Sequence, residues 1–475
     1  MRHLIYTLTL LSILTVVSCK KNKPGSGGGS LPSTNKAITS FVFKAADNPG
    51  VAVDIAGVIS ADSVVITVPY GTNITALKPA IVHTGVSITP ASGTAKNFSS
   101  PVSYTVTAED GSTKNYLAVV NIHIKSTVYA GSTDGKLYAF DGDNGTVKWI
   151  YTTAGTIAEA CPAYYNGTVY VGSTDGYLHA VDAVTGALKW KYSTGSNLGG
   201  TTPTINAGIL YFGTATTGFP QYLRAVNATT GIKLWEKIHP NAIVHPTWYN
   251  GVVFGCGLYG MDGFSASDGT PGIHYSSSII AGNPLVVNNT VYNGTEATIL
   301  HAYDATTGVL KWFYSGTPGP NASVFSPTFY KGTIYNGGST GGTNYLYAVD
   351  AATGTLKWKF NDGLTLYALC SPVAANDMVY AVNTAGQLYA IDAVTGTKRW
   401  MFDDGLGGTG VPYYNCTVKG NMVYFGNASK KMYAINAFTG VPVWQYTTGG
   451  VISGGALIVA EDGSVYHSGI SGEQQ

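Results

Sequence analysis

A thirteen-residue pattern recurs along most of this chain. Leu178-His179-Ala180-Val181-Asp182-Ala183-Val184-Thr185-Gly186-Ala187-Leu188-Lys189-Trp190 is echoed by Leu346-Tyr347-Ala348-Val349-Asp350-Ala351-Ala352-Thr353-Gly354-Thr355-Leu356-Lys357-Trp358. Further copies end at Trp149, Trp235, Trp312, Trp400 and Trp444, and one starting at Gly263 carries Ile273 where the Trp is due. The eight units lie 38 to 46 residues apart. Self-similarity at that period restricts the fold to a solenoid, a propeller or an array. Side chains alternate by two rather than by 3.6, which removes the helical solenoids.

Each unit supplies four short strands, A to D. Strand A is Pro-led at Pro162, Pro203, Pro246, Pro284, Pro327, Pro372 and Pro412. Strand B is exemplified by Val169-Tyr170-Val171-Gly172-Ser173. Asp134-Gly135 and Asp175-Gly176 fit the tight B–C hairpin, and the Thr-Gly step fits a C–D turn whose Gly has positive φ. The Asp before it (Asp182, Asp304, Asp350, Asp392) is placed to accept backbone N–H bonds in that turn. About 42 residues of this kind make one propeller blade, so the reading is an all-β, eight-bladed β-propeller. The first unit begins at strand B near Thr127, and an orphan strand A, Ser453–Ala460, is expected to complete blade one. That closure would remove exposed sheet edges. Val465-Tyr466-His467-Ser468-Gly469 is either a surplus strand or a competitor for the same place.

Residues 36–125 read as a separate small Ig-like β-sandwich, with strands expected at Ser40–Lys44, Ser63–Val68, Val86–Thr89, Val102–Ala108 and Tyr116–Ile124. Upstream, residues 1–18 carry Arg2, His3 and the apolar run Leu4–Val17, a secretory signal too short to span a bilayer. Val16-Val17-Ser18-Cys19 resembles a bacterial lipobox, which implies lipidation of Cys19 and an exported, outer-membrane-anchored lipoprotein whose face, periplasmic or cell-surface, is undetermined. Each buried CH2 of such an anchor contributes about 0.8 kcal/mol. Residues 19–35, with Gly25-Ser26-Gly27-Gly28-Gly29-Ser30, form a flexible tether, and residues 126–475 form the propeller.

Composition narrows the partners. Only 11% of residues are charged, with 26 Lys+Arg against 25 Asp+Glu. Without Arg2 the balance is even, so no broad basic face is offered to nucleic acid. Cys161, Cys256, Cys370 and Cys416 show no metal spacing. Burial as small hydrophobes is the favoured reading, with disulfides permitted by export.

The A-x-D-x-x-T-G-x-x-x-W pattern resembles the tryptophan-docking motif of the PQQ-like, quinoprotein-dehydrogenase-like β-propellers, over roughly residues 127–470. The resemblance implies that Trp149, Trp190, Trp235, Trp312, Trp358, Trp400 and Trp444 form a structural girdle between blades. It also raises PQQ and Ca2+ as cofactors. Against that chemistry, the chain has no adjacent Cys pair, no C-x-x-C-H haem site and no long insertions, so cofactors are expected to be none and no catalytic residue is assigned. In plan the chain is similar to the propeller lipoproteins of the outer-membrane β-barrel assembly machinery, apart from its sandwich and tether.

The D–A connections would form the channel mouth, which makes Glu159, Asn197, His239, Asn241, Asn321, Asp362, Tyr367, Asp403 and Asp404 candidate binding residues. His239 and His245 are the one notable His pair, both placed between strand D of unit three and strand A of unit four. In the aromatic pairs Tyr164-Tyr165, Trp248-Tyr249, Phe329-Tyr330 and Tyr413-Tyr414, one ring should pack between blades and the other face the opposite way. Trp248 and Tyr413 are candidate aromatic contacts. The expected function is a non-catalytic, lipid-anchored, monomeric envelope scaffold presenting the disc to a protein or glycan, with a PQQ-dependent dehydrogenase and an assembly factor as alternatives. Unit four, without Trp or Asp, is either drifted sequence or a binding edge.

Overall fold

The computed structural model describes residues 31–157, 161–214, 221–239, 245–257, 260–275, 283–294, 300–315, 326–340, 343–361, 363, 371–383, 385–406 and 415–467. They fall into two units that divide between His123 and Ile124.

Strict alternation builds the first unit. In Ser63–Pro69 every second residue is buried, and Val64, Ile66 and Val68 have no exposed surface. A three-stranded sheet (Ile55–Ala56, Ile38–Phe43, Pro79–His83) accompanies a five-stranded one (Val58–Ile59, Ser63–Pro69, Thr113–His123, Val102–Thr107, Ser87–Thr89). Phe41, Phe43, Phe98 and Tyr104 join Val64 and Ile66 in one core, with Phe41 edge-on to Tyr104 at 5.4 Å. Strand Pro79–His83 was not anticipated from the sequence. Its Pro79 looks like a breaker, yet it occupies the first position of a strand at the sheet edge, where a missing N–H is tolerated.

The second unit contains eight sheets among the described residues, each a blade. Seven have four antiparallel strands in sequence order, for example Ala163–Tyr165, Thr168–Gly172, Tyr177–Asp182 and Leu188–Ser193 in blade two. In seven blades the C–D register slips once beside the Ala that faces the docking position, as between Ala180 and Val181, and in blade four it slips between Asp262 and Phe264, where Gly263 takes the place of the Ala. Such bulges increase the local twist, and the device recurs at the C–D pairing of each blade.

Blade one has five strands, in the order Val147–Thr152, Lys136–Asp141, Ser126–Gly131, Leu457–Ala460, Val465–His467. Ile458 pairs with Val128 and Leu457 with Tyr129, so the C-terminal segment supplies strand A of the first blade. Val465–His467 pairs with the free side of Leu457–Ala460. It is a surplus strand and does not compete with Ser126–Gly131. No helix among the described residues is long and apolar enough to cross a membrane.

Candidate functional site

The repeated Trp is fixed by a hydrogen bond to the next blade and by a close contact with that blade's turn glycine. The indole N–H of Trp149 donates to the Ala183 carbonyl of the next blade at 3.1 Å. Trp235, Trp312, Trp358 and Trp400 do the same to Ala266, Ala351, Ala393 and Ala437 at 3.0–3.2 Å. Trp190 reaches both Ala228 and Thr229. Trp444 of blade eight donates to Gly142 of blade one at 2.9 Å and so joins the ends of the ring. The indole lies against the C–D turn glycine of the next blade. A Cβ on Gly186 would sit 2.7 Å from the Trp149 ring, so Gly is required there by contact as well as by its φ of 74°.

A second donor was not read from the sequence. The strand B tyrosine of the same blade sends its hydroxyl to the same carbonyl: Tyr129 to Ala183, Tyr170 to Ala228, Tyr211 to Ala266, Tyr292 to Ala351, Tyr335 to Ala393, Tyr380 to Ala437 and Tyr424 to Gly142, at 2.8–3.2 Å. Each of these rings lies 5.6–6.0 Å from its Trp. The recurring Val-Tyr of strand B was the available signal. Blade four has lost both donors, having Phe254 for the Tyr and Ile273 for the Trp. Tyr275, two residues further along strand D, replaces them and donates to Ala305 at 3.0 Å. The departure in unit four is therefore compensated within the ring.

Several mouth candidates are bound up in loop geometry. Asn197 is exposed and accepts from the N–H of Gly199. Asp403 accepts from the side chain of Gln387 and from the N–H of Gly405. Asp404 accepts from Asn427 at 2.7 Å, from the Tyr433 hydroxyl at 3.0 Å and from the N–H of Leu406. Burial alone would raise the Asp404 pKa, but these donors outweigh it and hold the carboxyl below its ordinary value. Asp404 thus ties the connection between blades seven and eight to strand C of blade eight. Tyr138 and His179 occupy the matching strand C position and engage Asp134 and Asp175. Glu159, Asn241, Asn321, Asp362, Tyr367 and Tyr413 lie outside the described residues, as do Cys19, Cys370 and the side chain of Cys256.

The two histidines part company. His239 ends strand D of blade three instead of lying in the following loop. It is buried, packs edge-on against Phe264 and binds Asp262 at 2.7 Å, while His274 takes the other Asp262 oxygen at 2.6 Å. His245 stands just ahead of strand A of blade four and borders a central cavity. Its Nδ1 is shut from solvent without a hydrogen-bond partner among the described residues, and burial pushes its pKa down to about 4. A buried unsatisfied nitrogen costs about 1–3 kcal/mol. Cys161 and Cys416 are buried, and Cys416 belongs to the packing between blades seven and eight.

The cavity has a volume of about 420 Å³ and lies along the A strands of blades two to five, beside Ser326, Val465 and His467. Hydrogen bonds from blade to blade line it: Cys161 N–H to Thr202, the Thr247 hydroxyl to the Pro284 carbonyl, Asn283 N–H to Ser326, and Ser326 N–H to Ser371, at 2.8–3.1 Å. The aromatic pairs of strand A send their rings to opposite faces of the blade, and both faces are interfaces between blades. Tyr164 packs with blade one and Tyr165 with blade three, Trp248 with blade three and Tyr249 with blade five, and Phe329 and Tyr330 likewise enter successive interfaces. Successive strand residues point to opposite faces, which sets each ring against a different neighbouring blade, and Tyr164, Tyr165 and Trp248 also border the cavity.

The lining was tested for the cofactor that the docking motif suggests. Its described residues include no Asp, Glu, Lys or Arg. Hard Ca2+ is held by carboxylates and other oxygens, and the carboxylates of PQQ need cationic partners. The described lining offers neither.

Comparison with known proteins agrees with the geometry. Residues 38–120 match the family described as SGBP, N-terminal. Among curated protein sequences none matches the chain. BamB from Moraxella catarrhalis is similar in structure, with a TM-score of 0.52 and 18% identity over 66% of this chain and 97% of that one. AztD from Citrobacter koseri gives 0.55 and 12% over 72% and 99%. The computationally designed Ika8 protein gives 0.54 and 17% over 66% and 92%. These likenesses concern the fold. The family model that covers most of the propeller matches residues 133–245, 260–358 and 332–473, and on that match the chain belongs to the family described as outer membrane protein assembly factor BamB.

Proposed function

We propose that this chain is a non-catalytic, lipid-anchored scaffold of the bacterial cell envelope, whose propeller disc binds a protein partner. The observation that carries the reading is the employment of the repeat's polar groups. The Trp and Tyr donors hold blade to blade, and Asp403 and Asp404 hold loops. What is left for a partner is surface, and an assembly-factor family supports that use. Cys19 would carry the lipid, and the sandwich and tether would set the disc away from the bilayer.

Chemical crosslinking in the native envelope, followed by identification of attached proteins, tests the scaffold. One partner recovered far above its abundance is expected; products that merely track the abundance of neighbours contradict it. Cys19→Ala should release the chain from the membrane fraction, and retention there would contradict lipid anchoring. Addition of PQQ and Ca2+ to the purified chain should leave alcohols and sugars unoxidised in a dye-reduction assay, and dye reduction would restore the dehydrogenase reading.

A further inference from the structure

We infer that the central cavity is a binding site for a neutral sugar of one or two rings, separate from the surface that meets a protein partner. The size is right for a small ligand: about 420 Å³ lies within the roughly 300–1,000 Å³ common to such sites. The chemistry is narrower than the size. Described lining side chains are amides, hydroxyls, imidazoles and aromatic rings, interleaved with aliphatic groups such as Ile205, Leu285 and Val465, and none of them is Asp, Glu, Lys or Arg. A phosphate or a carboxylate ligand would be desolvated there without a cation to meet it. A metal ion would find no carboxylate. A purely apolar ligand would strand the amides.

A sugar ring satisfies all of these at once, because it has hydroxyls around its rim and an apolar C–H face. Asn206 and Asn283 each offer a donor and an acceptor, from blades three and five on either side of blade four. Trp248 and Tyr164 offer flat apolar surfaces on either side of blade three. The hydroxyls of Thr202, Thr247 and Ser326 are taken up by bonds between blades, which fixes the wall. His245 supplies the independent sign. Its Nδ1 has no partner among the described residues, although the ring borders the cavity. A sugar hydroxyl seated against the ring would give that nitrogen the partner it lacks among the described residues. Being neutral at pH 7, the ring adds no charge to the wall.

Saturation-transfer NMR on the purified full chain tests this. The probes are glucose, galactose, mannose, N-acetylglucosamine, maltose and cellobiose, with gluconate and glucose 6-phosphate as charged controls. At least one neutral sugar should show transfer, and the charged controls should not displace it. Trp248→Phe and His245→Phe should each weaken binding at least tenfold, and His245→Phe should raise the Tm, since it removes an unsatisfied nitrogen while costing function. Asn206→Leu, which touches none of the bonds between blades named above, keeps the test open should the ring variants fail to fold. Absence of transfer from every neutral sugar, equal competition by the charged controls, or binding unmoved in the folded variants overturns the site. The assay needs no protein partner, so its failure leaves the scaffold reading intact, and failure of the crosslinking leaves the sugar site intact.

Discussion

At the scale of single residues, seven of the eight blade boundaries are held by a pair of donors converging on one carbonyl, and the boundary between blades four and five by Tyr275. This redundancy makes a prediction with an internal control. Tyr335→Phe leaves the Ala393 carbonyl with the indole of Trp358, and should cost only about 0.5–1.5 kcal/mol. Tyr275→Phe takes away the side-chain donor that replaces both partners at Ala305, and should cost about 1–3 kcal/mol. Urea unfolding of the two variants measures the difference, and equal costs would contradict the pairing. The pH dependence follows from shifted groups. Burial holds His245 at about 4, below the 6.5 of an unfolded imidazole. The unfolded chain therefore binds that proton first, and stability falls as pH drops from about 6.5 to 4. Asp182 and Asp304 are held at about 2, first by turn N–H bonds from Thr185 and Thr307. Their contribution is full above about pH 4 and is lost toward pH 2. Unfolding temperatures across that range should decline in two stages, and His245→Phe should shrink the first, to which His179 and His301, also lowered by burial, contribute.

Elements show what the sequence could and could not display. The Trp slots were legible because one residue per blade repeats at a near-constant interval. Their tyrosine partners were equally periodic but looked like ordinary strand aromatics, since their role depends on a carbonyl some 55 residues away in sequence. Tyr275 was beyond reach: its compensation for Ile273 depends on which side chains strand D turns toward blade five. The place of Val465–His467 was undecided for a different reason, because strand pattern specifies faces and not which edge is free. The cavity was invisible because Asn206 and Asn283 read locally as turn and strand-end residues and meet only through closure. Closure itself is testable by truncation. A chain ending at Gly455 loses Leu457 and Ile458, both fully buried against blade one. It exposes the inner edge of Ser126–Gly131 and should unfold without a single cooperative transition. A chain ending at Asp462 loses the surplus pairing and the packing of Val465 and Tyr466 but keeps strand A of blade one, and should retain a single cooperative transition. Equal behaviour of the two in thermal circular dichroism would contradict the latch.

For the whole molecule, the low charge and the Gly and Tyr surplus have one source. A ring of eight twisted sheets buries both faces of each blade against its neighbours, which leaves little surface that must be charged and demands Gly wherever an indole meets a turn. The repeat thereby builds a rigid disc, and apolar side chains such as Val394, Phe438 and Val443 remain exposed on it. Function at this scale is contact. The most direct measurement is site-specific photocrosslinking in living cells, with a photoreactive residue at Val394, Phe438 or Val443 on the disc, or at the equally exposed Val82 and Val86 on the sandwich. The scaffold account predicts that disc positions capture one and the same partner while sandwich positions do not. Capture confined to the sandwich, or none from the disc, would contradict it.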